Sequence, residues 1–246
     1  MKTSTTIRVL GFALVCGLAG CVEEGAVKKK AREATKTSDV APPLPAANKV
    51  KVGTNVSLEI QGERRRVLVE AYVCLRQGQL EQFLTRKRTK EHEAILAADV
   101  DARDIHTALL LAGAEAGKPV QFQPKYQPAS GSVIKIQLQY EDQGKRVEIP
   151  AGRWMRESQR KKEFNQDWVF AGSVMIPDPF DAAKKPFYAA NDGDVICVSN
   201  FDSAMLDLPI ESSADNGELS YEAYTERIPP LETPVLVILE PVAKKK

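Results

Sequence analysis

Apolar residues are distributed along this 246-residue chain in three different ways. The first is a single unbroken run from Val9 to Gly20, preceded by Lys2 and Arg8. About a dozen apolar residues fall well short of the ~20 that a membrane-spanning helix needs. Two positive charges, a short apolar stretch and small residues before a break predict a secretory signal over 1–20. The second region, 22–49, has no apolar periodicity. It holds Lys28-Lys29-Lys30 and Ala41-Pro42-Pro43-Leu44-Pro45, cannot bury enough surface to fold, and reads with residue 21 as a disordered tether. The third, from 50 to 242, breaks into short apolar stretches separated by turn residues, with a lysine tail at 243–246.

Within that third region the pattern is mostly strand. Val67 to Leu75 is rich in β-branched and aromatic residues, and Gln77-Gly78 supplies a turn before Leu80 to Leu84. Val133 to Tyr140, then Asp142-Gln143-Gly144-Lys145, then Arg146 to Ile149 predict a hairpin with a short polar loop. Further strands are expected over 167–176, 187–190, 195–198 and 219–224, with Asn191-Asp192-Gly193-Asp194 as a turn. Val235 to Leu239 is a continuous apolar run of the buried-strand type. A single helix is predicted over about 102–114. Asp101 caps it, Asp104 sits in its first turn, and Gly113, Gly117 and Pro119 mark its end. The expected fold class is therefore α+β: one β-rich domain of mostly antiparallel strands with one principal helix packed on a sheet.

The end of the first run carries chemistry. Leu18-Ala19-Gly20-Cys21 resembles a bacterial lipobox, which implies cleavage before Cys21 and a thioether-linked lipid on its sulfur. The other reading is an ordinary secretory signal that contains Cys16 and Cys21. Several acyl chains on one residue make a stable anchor, since each buried CH₂ contributes ~0.8 kcal/mol. The expected partner is then the membrane itself. Val22, standing where an aspartate would retain a lipoprotein at the inner membrane, favours the outer membrane on its periplasmic side. Cleavage removes Lys2 and Arg8 and leaves the side chains almost neutral, so the chain offers no electrostatic footprint for nucleic acid.

Most familiar catalytic patterns are missing. There is no G-x-S-x-G elbow, no phosphate-binding G-x-x-x-x-G-K-[ST] and no G-x-G-x-x-G, and no cofactor is expected. His92-Glu93 opens like a zinc-protease H-E-x-x-H, but Leu96 occupies the second ligand position. Asp99 to Asp104 lacks both the glycine and the terminal glutamate of a calcium loop. The two histidines, His92 and His106, remain. His106 lies on the apolar side of the predicted helix, which suits a buried histidine satisfied by a hydrogen bond. The alternative is a small polar site of His92, Glu93 and His106 able to hold a metal or small ligand. Cys74 and Cys197, both in expected strands, either pair as one disulfide in an oxidising compartment or remain buried thiols.

Three segments resemble a known family. They are Val73-Cys74-Leu75-Arg76-Gln77-Gly78-Gln79-Leu80-Glu81, Lys90-Glu91-His92-Glu93-Ala94-Ile95-Leu96, and Ile105-His106-Thr107-Ala108-Leu109-Leu110-Leu111-Ala112-Gly113. With Asp167 to Ser173 and Thr233 to Leu239 they are similar to the YdjY-domain family, exported bacterial proteins frequently found as planctomycete lipoproteins. The resemblance covers about 65–240, places His92, Glu93 and His106 on family motif positions, and brings no established reaction. The expected function is a non-enzymatic binding or structural module anchored in the envelope. The second hypothesis is a metal- or small-ligand-binding protein, conceivably an enzyme, built on His92, Glu93 and His106.

Overall fold

The segment from Asn48 to Val73 folds as three consecutive antiparallel strands, β1 (Asn48–Gly53), β2 (Val56–Gln61) and β3 (Arg64–Val73). The computed structural model describes residues 46–212 and 220–242. They lie in the second of two units, Met1–Pro42 and Pro43–Lys246. The expected signal at 1–20, Cys21, most of the tether at 21–49 and the tail at 243–246 fall outside the described residues. After β3 come β4 (Gln79–Leu80), β5 (Gln82–Arg86), β6 (Ala94–Ala98) and the helix α1 (Ala102–Leu111). The hairpin β7 (Val133–Asp142) and β8 (Lys145–Pro150) follows, then β9 (Met155–Glu157), β10 (Trp168–Phe170), β11 (Met175–Ile176) and β12 (Phe187–Tyr188). The chain ends with β13 (Ile196–Cys197), β14 (Leu206–Asp207), β15 (Tyr221–Ala223) and β16 (Pro234–Pro241).

Eight of these strands close on themselves in the order β3-β16-β7-β10-β14-β13-β5-β6, and β6 returns to β3 through Tyr72↔Ala97 and Val73↔Leu96. This corrects the α+β expectation: the fold is mostly β, a closed eight-stranded barrel with α1 as the one α-helix among the described residues. Two of its pairings, β5–β6 and β13–β14, are parallel, which the expected antiparallel meander did not include. The physical reason is coverage. One ten-residue helix cannot hide the apolar face of so wide a sheet, so the sheet buries that face by curling until β6 meets β3. β1 and β2 extend the sheet beyond β3, and β8 extends it beyond β7.

The barrel is filled. Alternate residues of its long strands point inward and are buried: Val67, Val69, Ala71 and Val73 of β3, Ile134, Ile136 and Leu138 of β7, Val235, Val237 and Leu239 of β16. β6 is buried along its whole length. Phe83, Phe170 and Trp154 are among the largest fully buried side chains, and Trp168 stacks between Phe83 and Phe164 at centroid separations of 5.9 and 4.7 Å. The interior is thus a packed core.

α1 starts where Asp101 predicts, with the Asp101 carboxylate accepting from Arg103 N at 2.9 Å. It ends earlier than 114. Ala114 N donates to Leu109 O and Gly113 N to Leu110 O, with Gly113 at φ 92°, which closes the helix as a Schellman motif. The expected strand 167–176 is likewise shorter. Gly172 (φ 91°) and Ser173 (φ 56°) break it into β10 and β11.

Candidate functional site

His106, on the buried side of α1, sits in a small aromatic pocket. Its Nδ1 lies 2.8 Å from the Tyr188 hydroxyl, and that hydroxyl lies 3.0 Å from Gly172 O. Which of the two donates across the Nδ1–hydroxyl contact follows the imidazole tautomer. The ring packs edge-on against Phe170 and Tyr188. Burial lowers its pKa, opposed in part by a bond to the Gly172 backbone, so it is neutral near pH 7. Gly172 is required here, since a Cβ on it would press on Ala116 at 3.1 Å and approach the His106 ring at 3.7 Å.

His92 is elsewhere. It sits in the turn between β5 and β6, not in a strand, with its side chain 75% exposed and Nε2 3.7 Å from the Glu93 carboxylate. Of the three candidate residues, His92 and Glu93 therefore lie together, and His106 stands apart with Tyr188. Among the described residues no three His, Cys, Asp or Glu side chains converge on a point that could hold a metal ion. Cys74 and Cys197 are both free, so the disulfide alternative is corrected. Each sits in its own strand environment: Cys74 Sγ donates to Ala94 O at 3.1 Å, and Cys197 lies fully buried beside Asp194 and Asp207. Burial pushes the Cys74 thiol up to about 12 and the Cys197 thiol well above its ordinary value. Neither is a thiolate at neutral pH, so neither is a nucleophile.

Glu93 does join a polar assembly, though not with His106. A seam of hydrogen-bonded side chains runs along β5, β13 and β14. Asp194 is its hub, accepting from Gln82 Nε2 at 3.0 Å, Lys90 Nζ at 2.9 Å and Ser203 Oγ at 2.6 Å. Lys90 also lies over the Phe201 ring at 4.6 Å. Burial, then the charge and hydrogen bond of Glu93, raise the Glu81 carboxyl. Next along the seam, Asn200 donates to Asp207 Oδ1 at 3.0 Å and Leu208 N donates to the same oxygen at 2.7 Å. Asp207 is fully buried, its Oδ2 has no partner, and burial pushes its pKa up to about 7. The seam closes around protein atoms. Its task is to satisfy the polar groups where the parallel strands are too short to do so.

The space that could receive a ligand is outside the barrel. A cleft of about 1060 Å³ lies beside the end of α1, at the outer ends of β3, β7 and β16. Arg64, Arg65 and Lys135 line it together with Glu63, Glu148 and Glu240. Arg64 forms a two-pronged ion pair with Glu240, with Nε 2.7 Å from Oε1, and Lys135 reaches Asp167. Arg65 makes no ion pair among the described residues. The sequence held no sign of this cleft, because its walls come from five separated segments. Nor did it mark Asp194, which follows Gly193 in what reads as a surface turn; the positive φ of Gly193 (124°) turns it inward instead.

These features define a closed, side-chain-filled β-barrel domain with a polar seam and an external charged cleft. The chain belongs to the YdjY-domain family, whose model matches residues 58–240. No curated protein and no solved structure matches it. Among the described residues no helix is long and apolar enough to cross a membrane.

Proposed function

We propose that this protein is a lipid-anchored module of the bacterial envelope that binds a partner through the charged cleft and performs no catalysis. The observation that carries this reading is the contrast between a barrel filled with apolar side chains and an open cleft of about 1060 Å³ lined by both signs of charge. A filled barrel leaves no interior volume for a small ligand, whereas a mixed-charge cleft suits a ligand that itself carries both signs, such as a peptide segment. The anchor rests on Leu18-Ala19-Gly20-Cys21. Family membership assigns no reaction.

Two measurements on the full chain test it. Metabolic labelling with a clickable fatty acid should mark the protein, and Cys21→Ala should abolish the label; labelling that survives the substitution refutes anchorage at Cys21. For the cleft, an Arg65→Cys variant should react readily with a maleimide when purified and be protected in intact envelopes. Equal reactivity in both settings would show an unoccupied cleft.

A further inference from the structure

The hairpin formed by β11 and β12 carries the densest exposed apolar surface among the described residues. Val174, Met175, Ile176, Phe180 and Phe187 are all exposed within fourteen residues of chain, and Phe180 at the tip is 95% exposed. Ile176 stands directly opposite Phe187 across the ribbon. An apolar cluster of this kind marks a contact surface. We propose that this hairpin is a membrane-contact element, its apolar side chains seated at the headgroup–acyl boundary of a phospholipid bilayer with Phe180 deepest.

Three observations favour lipid as the occupant over a protein. First, the loop leaves few backbone donors in search of a partner. Asp178 Oδ1 accepts from Phe180 N at 2.9 Å and Asp181 N at 3.0 Å, Asp181 Oδ1 accepts from Ala183 N at 3.0 Å, and Lys184 N donates to Asp181 O at 3.1 Å. Pro177, Pro179 and Pro186 have no N–H at all. Backbone satisfied from within is what an apolar medium demands, whereas a strand edge docking a protein would offer free donors. Second, the loop carries a cation for the lipid headgroup. Lys184 pairs with Asp178 at 3.1 Å, and Lys185 has no ion pair among the described residues, so it is available to a lipid phosphate. Third, the inference rests on the anchorage reading above. Twenty-six residues separate Cys21 from Asn48, a reach of at most ~90 Å when fully extended. An anchor of that length holds the domain at high effective concentration against a bilayer, so a modest apolar contact suffices.

The test uses an added fluorophore in the full chain. Trp154 and Trp168, the two native tryptophans, are buried, so a Phe180→Trp variant adds one exposed indole. The chain, purified from membranes, is reconstituted into phosphatidylcholine–phosphatidylglycerol vesicles with or without brominated acyl chains. The added indole should shift to the blue and lose about half its emission or more to bromine, as expected for a group ~5–10 Å inside the boundary. Flotation with the vesicles but no quenching overturns the membrane contact while leaving the anchor intact. A blue shift without quenching overturns it in favour of a protein partner. Quenching that persists in a Cys21→Ala, Phe180→Trp variant floating as well as its parent supports the contact and refutes the anchor. Failure to float at all refutes both.

Discussion

Strands β3, β7 and β16 run eight to ten residues and exchange backbone hydrogen bonds along most of that length, whereas β10, β13 and β14 contribute two or three residues each. The long strands hold their arc of the barrel with alternating buried Val, Ile and Leu. The short ones hold theirs with side chains: Gln82, Lys90 and Ser203 on Asp194, Asn200 on Asp207, and Trp168 Nε1 donating to Cys197 O at 2.7 Å. A barrel need not be uniform to close. Where the backbone ladder is long, apolar burial dominates. Where it is short, buried polar groups must find side-chain partners, and those partners fix the strand order.

The comparison is broken most severely by removing volume from the apolar arc. Leu138→Ala, at a fully buried position on β7, should lower unfolding free energy by about 4 kcal/mol in urea titrations. A loss under about 1 kcal/mol would mean that this arc is loosely packed. The polar arc should answer pH instead. The folded Asp207 carboxyl titrates at about 7, against 3.8 for the ordinary group. Between those values the folded protein keeps a proton that the unfolded chain has released, so stability falls as pH rises from about 4 to about 7 and is level above it. Asp207→Asn should remove roughly 4 kcal/mol of that fall, seen as a stability difference from the parent that grows across this window. Glu81, raised chiefly by burial as well, leaves a residual slope of the same sign. A difference independent of pH would show that Asp207 is ionised throughout.

The same contrast explains what could be read from the sequence. β7 and β8 were legible because period-two alternation survives in a strand of six or more residues, β3, β13 and β16 because runs of β-branched and apolar residues read as strand, and α1 because Asp101 and Gly113 bracket it. The two-residue β14 has no period, so it and the closure it completes were not legible, and the fold class was misjudged. The seam was hidden for a related reason. Lys90 meets Asp194 across 104 residues and His106 meets Tyr188 across 82, and neither pairing leaves a local spacing. Glu93 was grouped with His106, but its neighbour in the seam is Glu81. The cleft was invisible because charged residues at strand ends are ordinary until the fold gathers them.

His106 gives the smallest and most discriminating effect, because it decides between a structural histidine and a ligand. Tyr188→Phe keeps the ring against His106 and Phe170 but leaves Gly172 O and His106 Nδ1 without their shared hydroxyl. The loss should be about 1–2 kcal/mol, since the exposed edge of the pocket admits some water. His106→Ala alone should lose a similar amount. The double variant separates the roles: if the pair is a structural clasp joining α1 to β12, the two losses overlap by about 1 kcal/mol. Additive losses would mean that the imidazole is held by something other than Tyr188. A histidine that served a bound ion would behave differently again. Tyr188→Phe would then alter metal affinity as well as stability, and added Zn²⁺ would raise the melting temperature of the parent more than that of the variant. With Nδ1 clasped to Tyr188 and no three ligating side chains gathered among the described residues, the expected response to Zn²⁺ is no shift in either protein.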